Sequence, residues 1–408
     1  ATNTSIADGN YTFRVYANDS AGNRNDTVNV TFSFQNSQLT DCKTLSVSNI
    51  VYILQNNINN RVGNCFNITA NNVTLDLNGF TIDGDDSGTD YGVISNYNFS
   101  TVRNGTVTDF YFGVSINSSS NNTLNRITAN SNEIGVYLYS SLSNTISNIT
   151  TNSNYGGIHL DYLSNNNRLS SISANSNTYG IYLFSSSNNT FTNISLNSDT
   201  YGIYLDSSPS NNFSYGNINA STFDAINLVL LPNSGNIFNN ISITNTATGF
   251  SDVDFEDAGI NETEFIDMPN FGRYAFAGAG GTVIVKKTGL GEVRFLKAVN
   301  GSGTNFTNDI QIGNNSAYIN SSQIGLNRSA NITLYGTPGT GMSIPVLKKD
   351  GAICSDCYNF TALSAATVIF NVSSAGNYTI GDRAVAIASL NSGWNLFSMT
   401  MNNSVNGT

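Results

Sequence analysis

From residue 111 to residue 246 the chain repeats its pattern of apolar and polar positions. A Gly or Ala followed by Val or Ile recurs as Gly113-Val114, Gly135-Val136, Gly157-Ile158, Gly180-Ile181, Gly202-Ile203 and Ala225-Ile226, in steps of 22 or 23 residues. Two more apolar columns keep the same phase: Ile127, Ile149, Ile172, Ile194, Ile218 and Ile241, and Leu124, Ile146, Leu169, Phe191 and Phe213. A fixed period in several columns marks a solenoid, in which each repeat buries its apolar face against its neighbours. Within the period, "GVYLY", "GIHLD", "GIYLF" and "GIYLD" alternate apolar and polar residues. Each therefore reads as a short strand with one buried face. Val136 and Leu138 point inward and Tyr137 outward. A strand–helix–strand unit needs ~30 or more residues, so short strands alone fill the period and stack at the ~4.8 Å strand spacing.

The pattern changes at both ends. From about residue 262 the period is lost, and alternating segments such as "GGTVIVKKT", "GEVRFLKAV", "SANITLYG" and "ATVIFNVSS" follow, separated by Gly-, Asn- and Pro-containing turns. These predict a β-sandwich. At the start, "DGNYTFRVYANDSAGNRNDTVNVTFSF" reads as a hairpin with no sheet of its own, and "LNSGWNLFSM" near the end as a strand short of any domain. The expected organisation is a hairpin in 1–37, a parallel β-helix in 38–250, a β-sandwich in 251–383 and the opening strand of a further or shared β-domain in 384–408. The chain does not begin with Met and carries no signal segment, so it reads as a mature or excised piece.

Composition narrows the class. Charged residues make up 11% of the chain and hydrophobic residues 39%, with a net charge of −11. The hydrophobic content excludes disorder. With 16 Lys+Arg against 27 Asp+Glu there is no basic patch for nucleic acid. No run of ~18 apolar residues is present to span a membrane as a helix.

The 67 Asn have two expected uses. Asn122, Asn144, Asn167, Asn189 and Asn211 fall at equivalent turns, as do Asn130, Asn152, Asn175 and Asn197. Stacked Asn side chains form amide ladders, and Asn tolerates the left-handed backbone of tight corners. Elsewhere Asn stands in N-x-S/T, the glycan acceptor of secreted proteins. Five of the seven Asn in residues 1–37 and 12 of the 18 after residue 250 do so. The glycosylation candidates are Asn10, Asn18, Asn25, Asn67, Asn98, Asn261, Asn300, Asn305, Asn327, Asn331, Asn359, Asn371 and Asn377. An even set of four Cys beside these acceptors suggests two disulfides, Cys42–Cys65 and Cys354–Cys357. The C-x-x-C of "AICSDCYNF" also admits a redox pair or half a zinc site, although the sole His, His159, is distant in sequence.

The coils and the opening segment "NVTLDLNGFTIDG" resemble the right-handed parallel β-helix of the pectate-lyase-like superfamily, especially its NosD-type repeats. With the preceding C-x-x-L strand and second Cys, this segment is similar to the first coils of archaeal cell-surface glycoproteins. Residues 262–383 resemble the sandwich that follows such helices, and the first hairpin resembles the last strands of an immunoglobulin-like domain. The resemblance covers roughly residues 40–250 and is specific for fold rather than function.

Candidate chemistry is sparse. Asp161 and Asp206 share a column with Phe184 between them, and nothing basic accompanies them in register. Tyr137, His159, Tyr182 and Tyr204 form an outward aromatic ladder, read either as an internal stabiliser or as a contact for sugar or a neighbouring subunit. Asp83, Asp85, Ser87 and Asp90 in "DGDDSGTD" are a calcium candidate that lacks the loop's final acid, and Asp252, Asp254 and Glu256 are a second. The expected function is a non-enzymatic structural subunit of an extracellular filament or surface layer. It would be N-glycosylated and self-associating, with the 11–34 hairpin completing a sheet begun by residues 383–401 of the next copy. The alternative is a surface protein that binds or cleaves carbohydrate, with polysaccharide as its partner.

Overall fold

A strand that alternates apolar and polar residues buries one face, and here the chain closes that face by winding upon itself. The computed structural model describes residues 9–34, 36–336 and 341–383. It is all-β, a right-handed parallel β-helix of about 11 turns that runs into antiparallel sheets. Val93, Val114, Val136, Ile158, Ile181, Ile203, Ile226 and Val253 stand in register on successive coils, and all are fully buried. On another wall Phe191, Phe213, Phe238 and Phe265 stack with centroids 4.6, 5.3 and 5.7 Å apart.

The glycine column has a steric cause. A Cβ at Gly113, Gly135, Gly157, Gly180 or Gly202 would lie 2.6–2.9 Å from the carbonyl oxygen of the next coil. One expected column changes composition. Ile194 and Ile241 both pair with Gly216 rather than with Ile218. Ile218 instead stacks with Leu196 and Ile243. The Ile194 side chain fills the space over Gly216, where a Cβ would lie 2.4 Å away.

Asn and the left-handed corners are divided differently from the expectation. The positive-φ corners fall on neighbours of the ladder residues, among them Asn121, Ser143, Asn166 and Asn188, and Ser131, Ser153, Ser176 and Ser198. The ladder Asn themselves turn inward. Asn122, Asn144, Asn167 and Asn189 each donate a backbone N–H to the Oδ1 of the Asn one coil on, at 2.8–2.9 Å. A second buried ladder, missed in the sequence, runs Asn132–Asn154–Asn177–Asp199. The Asn130–Asn152–Asn175–Asn197 series forms an outer, part-buried amide ladder.

Parallel pairing continues beyond residue 250. Val253–Phe255 pairs with Tyr274 to Phe276, and Thr263–Ile266 with Val283 to Lys286. The period is hidden there because the step from Ile226 to its partner Val253 has lengthened. Val283–Lys287 then pairs antiparallel with Gly291–Phe295, which leads into Ala330–Tyr335 and Thr367–Val372. A second antiparallel sheet holds Ile310–Gly313, Ser316–Ile319, Gly376–Asp382, Pro345–Lys349 and Ala352–Ile353. Phe370 and Tyr378 meet between the two sheets.

Both disulfides form, Cys42–Cys65 and Cys354–Cys357, so the C-x-x-C sulfurs hold each other rather than zinc. Gly9–Asn18 and Arg24–Phe34 form a hairpin that pairs with no other described strand. Residues 384–408, and with them most of the expected acceptor strand, lie outside the described residues, as do the side chains of Asn10, Asn18 and Asn25. Asn261, Asn305, Asn327, Asn359 and Asn377 are exposed, whereas Asn67, Asn98, Asn300, Asn331 and Asn371 are part-buried. The Nδ2 atoms of Asn261 and Asn371 already donate to Gly259 O and to Asn331 Oδ1. No helix among the described residues is long and apolar enough to cross a membrane.

Candidate functional site

Because side chains alternate along each strand, the parallel register stacks outward residues into columns on one wall of the solenoid. One column holds Tyr91 and Phe112 and, further along, Tyr179 and Tyr201. The next holds Tyr137, His159, Tyr182, Tyr204, Asn227 and Asp254. The third holds Tyr139, Asp161, Phe184 and Asp206. Asp161 and Asp206 thus share a column with Phe184 between them.

The rings form a continuous surface with mixed geometry. His159 lies edge-on to Tyr137 at 5.6 Å and tilted to Tyr182 at 4.3 Å, and Tyr182 meets Tyr204 edge-on at 5.3 Å. Parallel stacking occurs instead in the neighbouring column, where Tyr179 and Tyr201 lie 5.4 Å apart with planes 10° from parallel. The sequence reading missed this column, although "YGIYLF" and "YGIYLD" display its first Tyr. Exposed Tyr155 and Phe223 extend the surface sideways against Tyr179 and Tyr201.

Polar groups are set among the rings. Tyr137 Oη donates to Asp161 Oδ2 at 3.1 Å, and His159 Nε2 lies 2.9 Å from Asp161 Oδ1. That separation is within ion-pair distance but lacks hydrogen-bond alignment, so both ring nitrogens of the buried His159 remain without a hydrogen-bond partner. Burial, and then the Asp161 charge, push the Tyr137 hydroxyl above the usual phenol range. Burial, with Glu256 and Asp206 nearby, pushes Tyr204 up to about 12. Burial also raises Asp206.

Beyond Tyr204 the column becomes acidic. The fully buried Asn227 side chain donates from Nδ2 to Glu256 Oε1 at 2.7 Å and to Asp224 Oδ2 at 3.4 Å. Asp224 Oδ1 also accepts the Ser251 backbone N–H. Asp254 is pushed up to about 7 by burial and by the Asp224 and Glu256 charges. Asp252 is buried and accepts the Gly272 backbone N–H, so it does not join the others.

The other candidates are dispersed. Asp83 accepts the Asn60 backbone N–H, Asp85 holds Ser87, and Asp90 accepts the Tyr111 backbone N–H. Among the described residues, the His, Cys, Asp and Glu ligand atoms gather as a cluster of three only at Cys354, Asp356 and Cys357, where both sulfurs are in a disulfide.

The family model described as periplasmic copper-binding protein (NosD) matches residues 71–271, a little under half of the chain. The matched stretch holds one His, His159, one Met, Met268, and no Cys. Copper takes imidazole, thiolate or thioether ligands, and His159 belongs to no cluster of three candidate ligands among the described residues. These residues do not fit a copper site. No curated protein matches the chain.

Among solved structures the chain is similar to the Dettilon tailspike protein, with 11% identity, 85% of this chain and 86% of that chain covered, and a TM-score of 0.43. It is similar to the A-module of the Azotobacter vinelandii mannuronan C-5 epimerase AlgE4, with 15% identity, coverage of 60% and 84%, and a TM-score of 0.39. It is similar to ORF18 of Geobacillus virus E2, with 12% identity, coverage of 88% and 72%, and a TM-score of 0.49. At these identities the likeness concerns the fold. The expectation of a protein without chemistry is corrected here. An epimerase module is among the similar structures, so the β-helix gives no ground for calling the chain inert.

Proposed function

We propose that this protein is a carbohydrate-binding β-helix protein acting outside the cytoplasm, with polysaccharide laid along its aromatic wall. One observation carries the reading: the ring surface built by Tyr137, His159, Tyr182 and Tyr204 together with Tyr179 and Tyr201. Tyrosines combine an apolar face with a polar tip, which suits the CH-lined faces and hydroxyl rims of sugar rings. From Tyr91 to Tyr201 the wall spans five strand steps, or ~24 Å, so its ligand is a chain rather than a single sugar.

Affinity electrophoresis against a panel of polysaccharides tests this reading. Tyr182→Ser with Tyr204→Ser should weaken binding roughly tenfold or more, equivalent to about 1.4 kcal/mol. Because these rings are part-buried, the exposed Tyr155→Ala serves as a second variant and should weaken binding with an unchanged melting temperature. No retardation of the wild type by any polymer refutes the proposal, as does unchanged affinity in both variants.

A second reading, self-association into a filament or surface layer, is favoured by the two-stranded hairpin, because an isolated hairpin is marginal in water. Under that reading, removing residues 1–37 leaves monomers in light scattering. Sugar at the N-x-S/T acceptors belongs to the same extracellular reading, and intact-mass measurement before and after deglycosylation tests it.

A further inference from the structure

The buried phenylalanine column of the solenoid does not run to its end in rings. Phe191, Phe213, Phe238 and Phe265 follow one another in register, and the next residue in the column is Val285. Beside Val285, where the last coil meets the edge strand Ile310–Gly313 of the second antiparallel sheet, lies an apolar cavity of about 190 Å³. Its floor is a cluster of three buried rings, with Phe271 centred 4.9 Å from Phe265 and 4.3 Å from Phe306. Met268 and Ile310 add to the apolar lining, and a thioether makes favourable contacts with aromatic rings. An apolar cavity of about 150 Å³ holds one benzene, so this one has room for a single aromatic ring with a short substituent.

The polar groups of the lining decide what that substituent is. Thr307 Oγ1 is committed to the Phe271 backbone, and Gln311 Nε2 donates to Asn308 O. The charged side chains among the lining residues are Lys286 and Lys287, with no acid beside them. Lys286 Nζ is held by Glu264 at 2.8 Å. Lys287 is half-exposed, and its Nζ stands 3.8 Å from Asp267 Oδ1, beyond hydrogen-bond reach. That oxygen already accepts the Thr288 backbone N–H. Lys287 is therefore the cation at the rim with donors to offer.

We propose that this cavity binds a small aromatic carboxylate, its ring packed on Phe265, Phe271 and Phe306 and its carboxylate paired with Lys287. The ring takes the space that the column leaves when Val285 stands in place of a further Phe. The carboxylate accepts a charge-assisted hydrogen bond from the ammonium group, stronger than a neutral one. Both halves of the ligand are needed: a short aliphatic anion leaves the hollow empty, and a neutral ring leaves Lys287 with only its distant acid. The cavity shares no residue with the aromatic wall, so the inference goes beyond the carbohydrate-binding reading and does not depend on it.

The chain has four Met, and Met268 lines the cavity. Methyl NMR on methionine-labelled protein therefore gives a local readout, with the Met268 signal assigned from Met268→Leu. Benzoate should shift that signal saturably, with a dissociation constant on the order of 1 mM or below. Benzyl alcohol should bind roughly tenfold more weakly, and acetate should leave the signal in place. Lys287→Met, at the exposed rim, should bring benzoate to the level of benzyl alcohol without changing the affinity for benzyl alcohol. Val285→Phe supplies the column with a ring of the protein's own and should abolish the shift by both ring compounds. No saturable shift with benzoate overturns the proposal. Equal affinity for benzoate and benzyl alcohol overturns it too, as does unchanged benzoate affinity in Lys287→Met, a variant that does not disturb the core.

Discussion

Asn177 gives its backbone N–H to Asp199 Oδ1 at 2.8 Å and its side-chain Nδ2 to the same atom at 2.9 Å. An asparagine ladder thus ends on an acid inside the solenoid. Asp199 is 1% exposed, and its other oxygen has no hydrogen-bond partner.

Burial, partly offset by the Asn177 bonds, pushes Asp199 up to about 7, above the ~3.9 of an unfolded Asp. The folded protein therefore binds more protons than the unfolded chain between those values. This contribution to stability is fully present below about pH 4 and declines as pH rises towards 7, by roughly 1.4 kcal/mol per unit within the window. Asp199→Asn continues the ladder without a charge. It should melt higher than wild type at pH 8, with the difference vanishing near pH 4 in calorimetric scans.

Asn167→Ala removes a side chain whose Oδ1 accepts from both the backbone and the side chain of Asn144 and whose Nδ2 donates to Ser141 O. The loss should be on the order of 3 kcal/mol, because several buried groups lose partners. Asn152→Ala, in the part-buried outer ladder, should cost about 1 kcal/mol. Urea unfolding of the two variants gives the comparison.

Gly157→Ala places a Cβ 2.7 Å from both Gly180 O and Thr151 Oγ1. The coils must separate or shift locally, at roughly 1–3 kcal/mol. The melting temperature should fall, whereas Gly79→Ser, where nothing lies within 4 Å of the added Cβ, tests backbone strain alone.

Cys42 and Cys65 close a 23-residue separation at the start of the solenoid, which corresponds to ~3 kcal/mol of chain entropy. Cys354 and Cys357 close a separation of 3 and should matter less. Paired Cys→Ser variants at each site, compared by urea midpoint, should reproduce this order.

The repeat was legible because each coil needs the same residue types in the same places: Gly113 to Gly202 for close approach, Val114 to Ile226 for the core, Asn122 to Asn211 for the turn. The sequence by itself therefore determined the parallel β-helix, its inward and outward faces and the Tyr137–His159–Tyr182–Tyr204 column, and it suggested the pairing of Cys42 with Cys65 that the structure shows. Only the tertiary structure decided where a coil of altered length still stacks, as with Val253 on Ile226, and that Gly216 rather than Ile218 faces Ile194. It also decided which acids share a partner. Asp83, Asp85 and Asp90 are close in sequence yet bond to separate backbone groups, while Asp224 and Glu256, a full coil apart, share the Asn227 amide. Residue spacing fixes which side chains share a face. Burial, register and the partners on the next coil fix which of them keep a proton or lack a bond, and those contacts exist only once the chain has wound upon itself.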